Sequence, residues 1–348
     1  MRKISMYLIG CALLVGTVSI LMSMDRAEPQ PVAQDTPSRA SDPTPAVLGD
    51  VALSDESDGE PHPVSYSAFF EKEYDGAELR LGDVLDDNAN YTRYSITYTS
   101  GGLTISGIMN VPKGDGPFPA LVLNHGYIDT SVYTNGRGLR REQDYFARHG
   151  YVVLHTDYRN HAQSDTDDRD TLAVRLAYTE DAMNAVYALK NSGLDSIDSE
   201  RIGMLGHSMG GGVTLGSLVA QPGLVDAAVL YAPVSGDMRQ SYERWISRES
   251  PDVNEITETY GSPEESPEFW DGISSETYYD RITAPVLIFH GTRDDSVPIG
   301  WSYDMVAKLQ AAAVAADLTV FDGEAHEFGP RWSDFMEQSR EFFDAQLK

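Results

Sequence analysis

Arg201-Ile202-Gly203-Met204-Leu205-Gly206-His207-Ser208-Met209-Gly210 leads directly into Gly211-Gly212-Val213-Thr214-Leu215-Gly216-Ser217-Leu218-Val219-Ala220. The first five residues read as a short buried strand, and the small and apolar residues after Gly210 read as a helix. A strand that passes into a helix through G-x-S-x-G is a nucleophile elbow. The reason is steric: the serine lies on a turn too tight for bulky neighbours, so the residues two before and two after it must lack a side chain. Gly206 and Gly210 meet that need. Such a turn holds the Ser208 hydroxyl out at the top of a sheet, and the first amides of the helix point at whatever the hydroxyl attacks. Met209 N–H is therefore one expected oxyanion donor.

Working outward, the chain alternates strand and helix signals. Residues 91–99 and 103–111 alternate in strand fashion around Ser100-Gly101-Gly102 and read as a hairpin. Residues 120–124 form a continuous apolar run of the kind buried on both faces of a sheet, 151–156 and 285–289 read as further buried strands, 227–231 as a strand, and 318–321 as a last short strand. Between them, 138–149, 171–191, 301–313 and 332–347 have helical character. Residues 65–74 read as a short helix whose Phe69 and Phe70 pack in the core. Strands spaced by helices in this way predict an α/β domain with a parallel sheet covered on both faces.

Side chains for chemistry gather at the strand ends. His125-Gly126-Tyr127 follows 120–124, and the glycine lets backbone approach the serine, so Tyr127 N–H is the second expected oxyanion donor. His125 precedes the serine on another strand and reads as structural. A serine hydroxyl needs a base in hydrogen-bonding reach. Two histidines follow Ser208: His290 ends its strand and is expected to pack there, whereas His326 occupies the loop after the last strand and is the expected base. The base needs a carboxylate to hold its tautomer, and Asp294 and Asp295 both lie in the preceding loop. Asp294 is chosen, with Asp295 the alternative. The order serine, acid, histidine suits this scaffold.

The bulk of the chain sets other limits. With 54 Asp and Glu against 26 Lys and Arg, the formal net charge of -28 repels nucleic-acid phosphates. There is no H-E-x-x-H and no clustered ligand spacing, so neither a metal nor a cofactor is expected. Arg2 and Lys3 precede an apolar stretch from 4 to 24 that is about as long as a membrane crossing requires. Residues 1–26 thus read as a signal anchor, with a cleaved signal or a lipoprotein signal at Leu8-Ile9-Gly10-Cys11 as alternatives. The expected location is outside the cytoplasmic membrane, attached through this segment. Residues 27–63, rich in Pro, Asp and Ala, read as a flexible tether, and 64–348 as the catalytic domain. Within it, the scattered aromatics Trp245, Tyr260, Phe269, Trp270, Tyr278 and Tyr279 in 235–280 suit either a lid with an aromatic wall or a peripheral excursion packing its own rings.

With these residues in place, the chain from about Tyr91 onward resembles an α/β-hydrolase. It is most similar to the catalytic domain of the prolyl oligopeptidase (S9-type) family and to dienelactone-hydrolase-like esterases. The residues that carry the resemblance are Asn124-His125-Gly126, Asp157-Tyr158-Arg159-Asn160-His161-Ala162-Gln163-Ser164, Gly206-His207-Ser208-Met209-Gly210, His290-Gly291-Thr292-Arg293-Asp294-Asp295-Ser296-Val297-Pro298 and Gly323-Glu324-Ala325-His326-Glu327-Phe328. The resemblance implies an eight-stranded, mostly parallel sheet with a helical insertion after strand 6. In that family G-x-x-D-x-x-V-P carries the acid, which favours Asp294. Two features depart from the pattern. Asn160 and Ala162 stand where glycines are usual, so that loop's backbone is expected to differ, and no propeller domain precedes the first strand. The expectation is a serine hydrolase cleaving a carboxylic ester or a short peptide or acyl-amide bond through Ser208, Asp294 and His326. A mainly peptidase activity is the alternative, and an inactive binding protein on the same fold is a third reading.

Overall fold

All eight stretches expected as strands pair into one sheet. In the computed structural model, which describes residues 60–348 except 75, 77, 170 and 250–252, that sheet has nine strands. They are β1 (Arg80–Asp87), β2 (Tyr91–Ser100), β3 (Leu103–Pro112), β4 (Phe118–Asn124), β5 (Val152–Thr156), β6 (Ile197–His207), β7 (Ala227–Tyr231), β8 (Val286–Gly291) and β9 (Ala316–Phe321). Their order is β1-β2-β3-β5-β4-β6-β7-β8-β9. The pairs β1·β2, β2·β3 and β3·β5 are antiparallel, and every pair from β5·β4 to β8·β9 is parallel.

The ninth strand corrects the expectation of eight. β1 reads Arg-Leu-Gly-Asp-Val-Leu-Asp-Asp and is exposed along its whole length, so burial has imprinted no alternation on it. It joins the sheet edge through backbone pairing with β2, helped by Thr92 Oγ1 donating to Asp87 at 2.8 Å and Asp83 N–H donating to Ser95 Oγ at 2.9 Å, with register shifts of the kind that blunt an edge strand. Another expected element shrinks: the helix over 65–74 is only a 3-10 turn, Ser67–Phe69, although Phe69 is buried.

Alternation along the central strands divides the core. Leu121, Leu123, Leu205 and Val229 pack on one face with Phe146, Phe335 and Phe343. Val122, Met204 and Leu230 pack on the other with Met183, Val186 and Leu215. Helices α1 (Arg140–Arg148) and α9 (Trp332–Leu347) contribute rings to the first face, and α2 (Thr171–Lys190) and α3 (Met209–Ala220) cover the second.

Between β7 and β8 the chain makes a helical excursion: α4 (Met238–Ser241), a π-helical turn (Tyr242–Ile246), α5 (Ser247–Glu249), α6 (Val253–Tyr260), α7 (Pro267–Gly272) and a 3-10 segment (Ser275–Arg281). The strand before it is the sixth of the eight expected ones, and becomes β7 once β1 is counted. Trp270, Tyr242 and Tyr279 are buried within this excursion, and Tyr260 stacks on Phe269 at 4.5 Å. Most of its aromatics therefore pack among themselves instead of forming a wall. After β8 come α8 (Ile299–Ala311), β9 and α9.

The expected leader, 1–26, and the expected tether up to residue 59 lie outside the described residues. His62, near the end of that tether, meets Phe269 edge to face at 5.1 Å, so packing begins slightly before residue 64. Among the described residues no helix is long and apolar enough to cross a membrane.

Candidate active site

The turn from β6 to α3 has the strain its sequence implies. Ser208 takes φ 56° and ψ -120°, a backbone that L residues rarely adopt. It is held by Ser208 N–H donating to Tyr231 O at 2.9 Å, and by Gly211 N–H and Val234 N–H donating to Ser208 O at 2.9 and 3.2 Å. The glycines are needed for close backbone approach. A Cβ on Gly206 would lie 2.1 Å from Gly210 O, and one on Gly210 would lie 2.0 Å from Asn124 O.

Met209 is the first residue of α3, so its N–H has no partner within the helix. The β4 exit loop runs alongside: a Cβ on Gly126 would come 3.1 Å from Cβ of Ser208. Tyr127 follows, with 68% of its surface exposed. Both expected oxyanion donors thus stand beside the serine.

Asp294 and His326 come together from the loops after β8 and β9. His326 Nδ1 lies 2.8 Å from Asp294 Oδ2, which places the proton on Nδ1 and leaves Nε2 as the basic nitrogen. The Asp294 side chain is 0% exposed, and its Oδ1 accepts from Ser296 N–H at 2.9 Å and Val297 N–H at 2.8 Å. Burial works against its charge, but hydrogen bonds from His290, His326 and Val297 outweigh it and hold the carboxyl well below the usual range. Asp295 is exposed and does not meet His326.

His290 has a part that its strand-end position does not announce. Its Nε2 faces two acceptors, Asp294 Oδ2 at 3.1 Å and Val297 O at 3.1 Å, so this nitrogen carries a hydrogen. Its other nitrogen meets Ser302 Oγ at 2.7 Å. The four-residue spacing from His290 to Asp294 is the sequence signal for this contact.

His326 is fixed from three sides. His207 donates from Nε2 to His326 O at 3.2 Å, and the two rings lie 4.7 Å apart. Phe328 N–H donates to the Tyr231 hydroxyl, and the Glu324 carboxylate accepts from Gly329 N–H at 2.6 Å and Arg331 N–H at 2.8 Å. Burial, then the neighbouring His326, lowers the His207 pKa to about 3, so His207 is neutral. The imidazole of His326 therefore stands against the residue that precedes Ser208. Ser208, the N-cap of α3, makes no side-chain capping hydrogen bond, and catalytic hydrogen bonds commonly tighten only with substrate present.

His125 is buried beneath the oxyanion loop, with Nδ1 2.6 Å from Gly126 O and its ring against Tyr133 and Tyr158. Burial, then the proximity of His155 and His161, lowers its pKa to about 3. That suits a structural residue. In the neighbouring loop Asn160 and Ala162 take φ of 65° and 49°, a left-handed backbone that glycine would also favour. Asn160 supports it by accepting Asp167 N–H at 2.6 Å and donating to Asp167 O at 3.0 Å. The excursion between β7 and β8 reaches the acid loop through Arg244, which donates to Ser296 O at 2.7 Å and Asp295 O at 2.8 Å.

With this geometry established, the comparisons carry weight. A sequence profile of the prolyl oligopeptidase family matches residues 137–348. The uncharacterized peptidase YtmA of Bacillus subtilis is 27% identical over 241 residues, 68% of this chain and 87% of its own length. Esterase EstD of Thermotoga maritima is 27% identical over 256 residues, 66% of this chain and 58% of its own length. Acetyl xylan esterase 1 from Thermoanaerobacterium superposes with a TM-score of 0.60 at 19% identity, over 83% of this chain and 95% of that one. An acylaminoacyl peptidase of Pyrococcus horikoshii superposes at 0.59 with 20% identity, over 74% of this chain and 42% of that one. The shared architecture is the α/β-hydrolase fold.

Proposed function

We propose a function from one premise: this chain belongs to the prolyl oligopeptidase family. It is a serine hydrolase, of the esterase or peptidase kind. In the proposed mechanism Ser208 Oγ attacks a substrate carbonyl while His326 Nε2 takes its proton, and Asp294 holds the imidazole and balances its charge. The amides of Met209 and Tyr127 receive the negative oxygen of the tetrahedral intermediate. His326 then returns the proton to the leaving alcohol or amine, and water releases the acyl group by the same steps in reverse. The observation that carries this reading is the 2.8 Å contact from Asp294 to His326, with that ring packed against the neighbour of Ser208.

Esters and amides share this path. We propose that carboxylic esters and short acyl-amides are the main substrates, a reading supported by the similarity to an esterase of Thermotoga maritima. A mainly peptidase activity is the second reading, favoured by the family to which the chain belongs. Fluorophosphonate labelling with and without Ser208→Ala tests the nucleophile. The wild type takes the label and the variant does not, and equal labelling of both would refute the assignment. p-Nitrophenyl esters of graded chain length, run beside aminoacyl and prolyl anilides, decide between substrates. Faster turnover of the anilides would replace the esterase reading with the peptidase one.

The leader motivates one further proposal, that the protein is exported and held at the outer face of the cytoplasmic membrane. Full-length protein found only in the cytoplasmic fraction would overturn it.

A further inference from the structure

Arg175, in the first turns of α2, is half-buried beside the oxyanion loop. Its guanidinium lies 5.9 Å from the ring centroid of Tyr127, which is within cation–π range. Among the described residues no carboxylate pairs with it. Burial, set against only the phenols of Tyr178 and Tyr127, draws its pKa below the usual arginine value. This is unusual in a chain with 54 acidic residues. The nearby Arg159 shows the ordinary solution: it binds Asp167, Glu180 and Asp181 within 3.3 Å. A guanidinium taken partly out of water without an anion keeps hydrogen-bonding capacity that an anionic ligand can fill.

Its position says where such a ligand would be. Gly126 is against Ser208, Tyr127 is the next residue, and Arg175 leans on the Tyr127 ring. An anion bound there would lie close to a carbonyl undergoing attack. The net charge of -28 opposes anionic substrates at long range, but salt screens that field beyond about 8 Å. A local cation in a partly desolvated site acts inside that distance.

We propose that Arg175, with the exposed ring of Tyr127, forms a subsite for a carboxylate on the substrate, so that the enzyme prefers esters or acyl-amides bearing a carboxylate near the scissile bond. The inference rests on the serine-hydrolase reading and narrows its substrate class. Arg175 is a specificity residue here and has no part in bond breaking.

The test uses full-length protein and two matched acetyl esters, 4-acetoxybenzoate and the neutral 4-acetoxybenzamide. The wild type is expected to favour the anionic ester in kcat/KM, and added salt to weaken that preference. Arg175→Gln is expected to lower the anionic-to-neutral ratio roughly 10- to 100-fold, the size of one lost charge-assisted hydrogen-bonding partner. Arg175→Lys, which keeps the charge, should recover part of it. Melting temperatures and fluorophosphonate labelling verify that each variant is folded. A wild type that turns over both esters without preference would overturn the subsite. So would an equal loss on both esters in Arg175→Gln, because it would mean that Arg175 only steadies Tyr127. A labelled enzyme that ignores the anionic ester overturns it as well. Failure of the parent reading looks different: no label and no turnover of either ester.

Discussion

Asp294 and Asp181 are both fully buried carboxylates with four donors, and they serve opposite ends. Asp181 accepts from Ser100 Oγ at 2.7 Å and from Arg159 N, Nε and Nη2 at 2.9, 3.0 and 2.7 Å. Asp294 accepts from two backbone amides and two histidines. The carboxylates are equally enclosed, so the difference lies in their partners. Arg159 is 3% exposed and permanently charged, which closes the Asp181 cluster to solvent and to proton exchange. His326 is 19% exposed and can gain and lose a proton, so the same hydrogen-bond count supports a proton shuttle. A buried charge becomes chemistry only where one of its partners titrates and reaches solvent.

That contrast can be broken most strongly at Asp294. Asp294→Asn is expected to lower kcat on the order of 10³- to 10⁴-fold by favouring the wrong His326 tautomer, with a lowered melting temperature as the stabilised carboxylate is lost. A kcat within a few fold of wild type would place the acid elsewhere, and Asp295→Asn serves as the control. Arg159→Met should act on stability alone. It leaves buried carboxylates uncompensated and is expected to cost about 3–5 kcal/mol in urea unfolding, while the folded fraction retains turnover. Should it abolish turnover in folded protein, the two clusters are not separate in function.

Acid sharpens the comparison at the level of protons. Burial is the main cause lowering the pKa values of His125, His155 and His207 to about 3. In the unfolded chain these rings take up protons below about pH 6.5. Stability from keeping them neutral is therefore complete above that pH and is lost as pH falls toward 3, at about 1.4 kcal/mol per pH unit per histidine. His155→Leu should make that slope shallower by about one proton, read from denaturant unfolding between pH 6 and pH 4. An unchanged slope would show that His155 is protonated in the fold. The smallest effect is expected at Tyr133→Phe. It removes one of several donors to Asp157, a 2.7 Å bond, and should cost about 1 kcal/mol, measured as a shift in the unfolding midpoint.

Legibility in the sequence followed burial and locality. β4 and β7 are buried on both faces, and β4 stood out as a continuous apolar run and β7 as a strand. β1 did not, because an exposed edge strand forms through backbone pairing and leaves no pattern in its side chains. The loop with Asn160 and Ala162 shows a related limit of reading glycine from sequence. Left-handed backbone is a preference of glycine and not its monopoly, and a side chain that bonds across the loop can hold Asn160 there. In the excursion, aromatic content alone did not reveal whether Trp270 and Tyr279 faced a substrate or one another; they are buried.

By itself the sequence determined the elbow at Ser208, because the steric demands of Gly206 and Gly210 act within one turn and can be read from adjacent residues. It also determined the layered α/β plan, since buried strands and covering helices leave their own periodicities. Only the tertiary structure decided that Asp294 and not Asp295 meets His326, that His290 shares this carboxylate, and that Arg175 stands beside Tyr127 with no carboxylate partner among the described residues. Those facts depend on where loops from different strands converge. Hydrogen bonds and desolvation act over a few ångströms of space, whatever the separation along the chain.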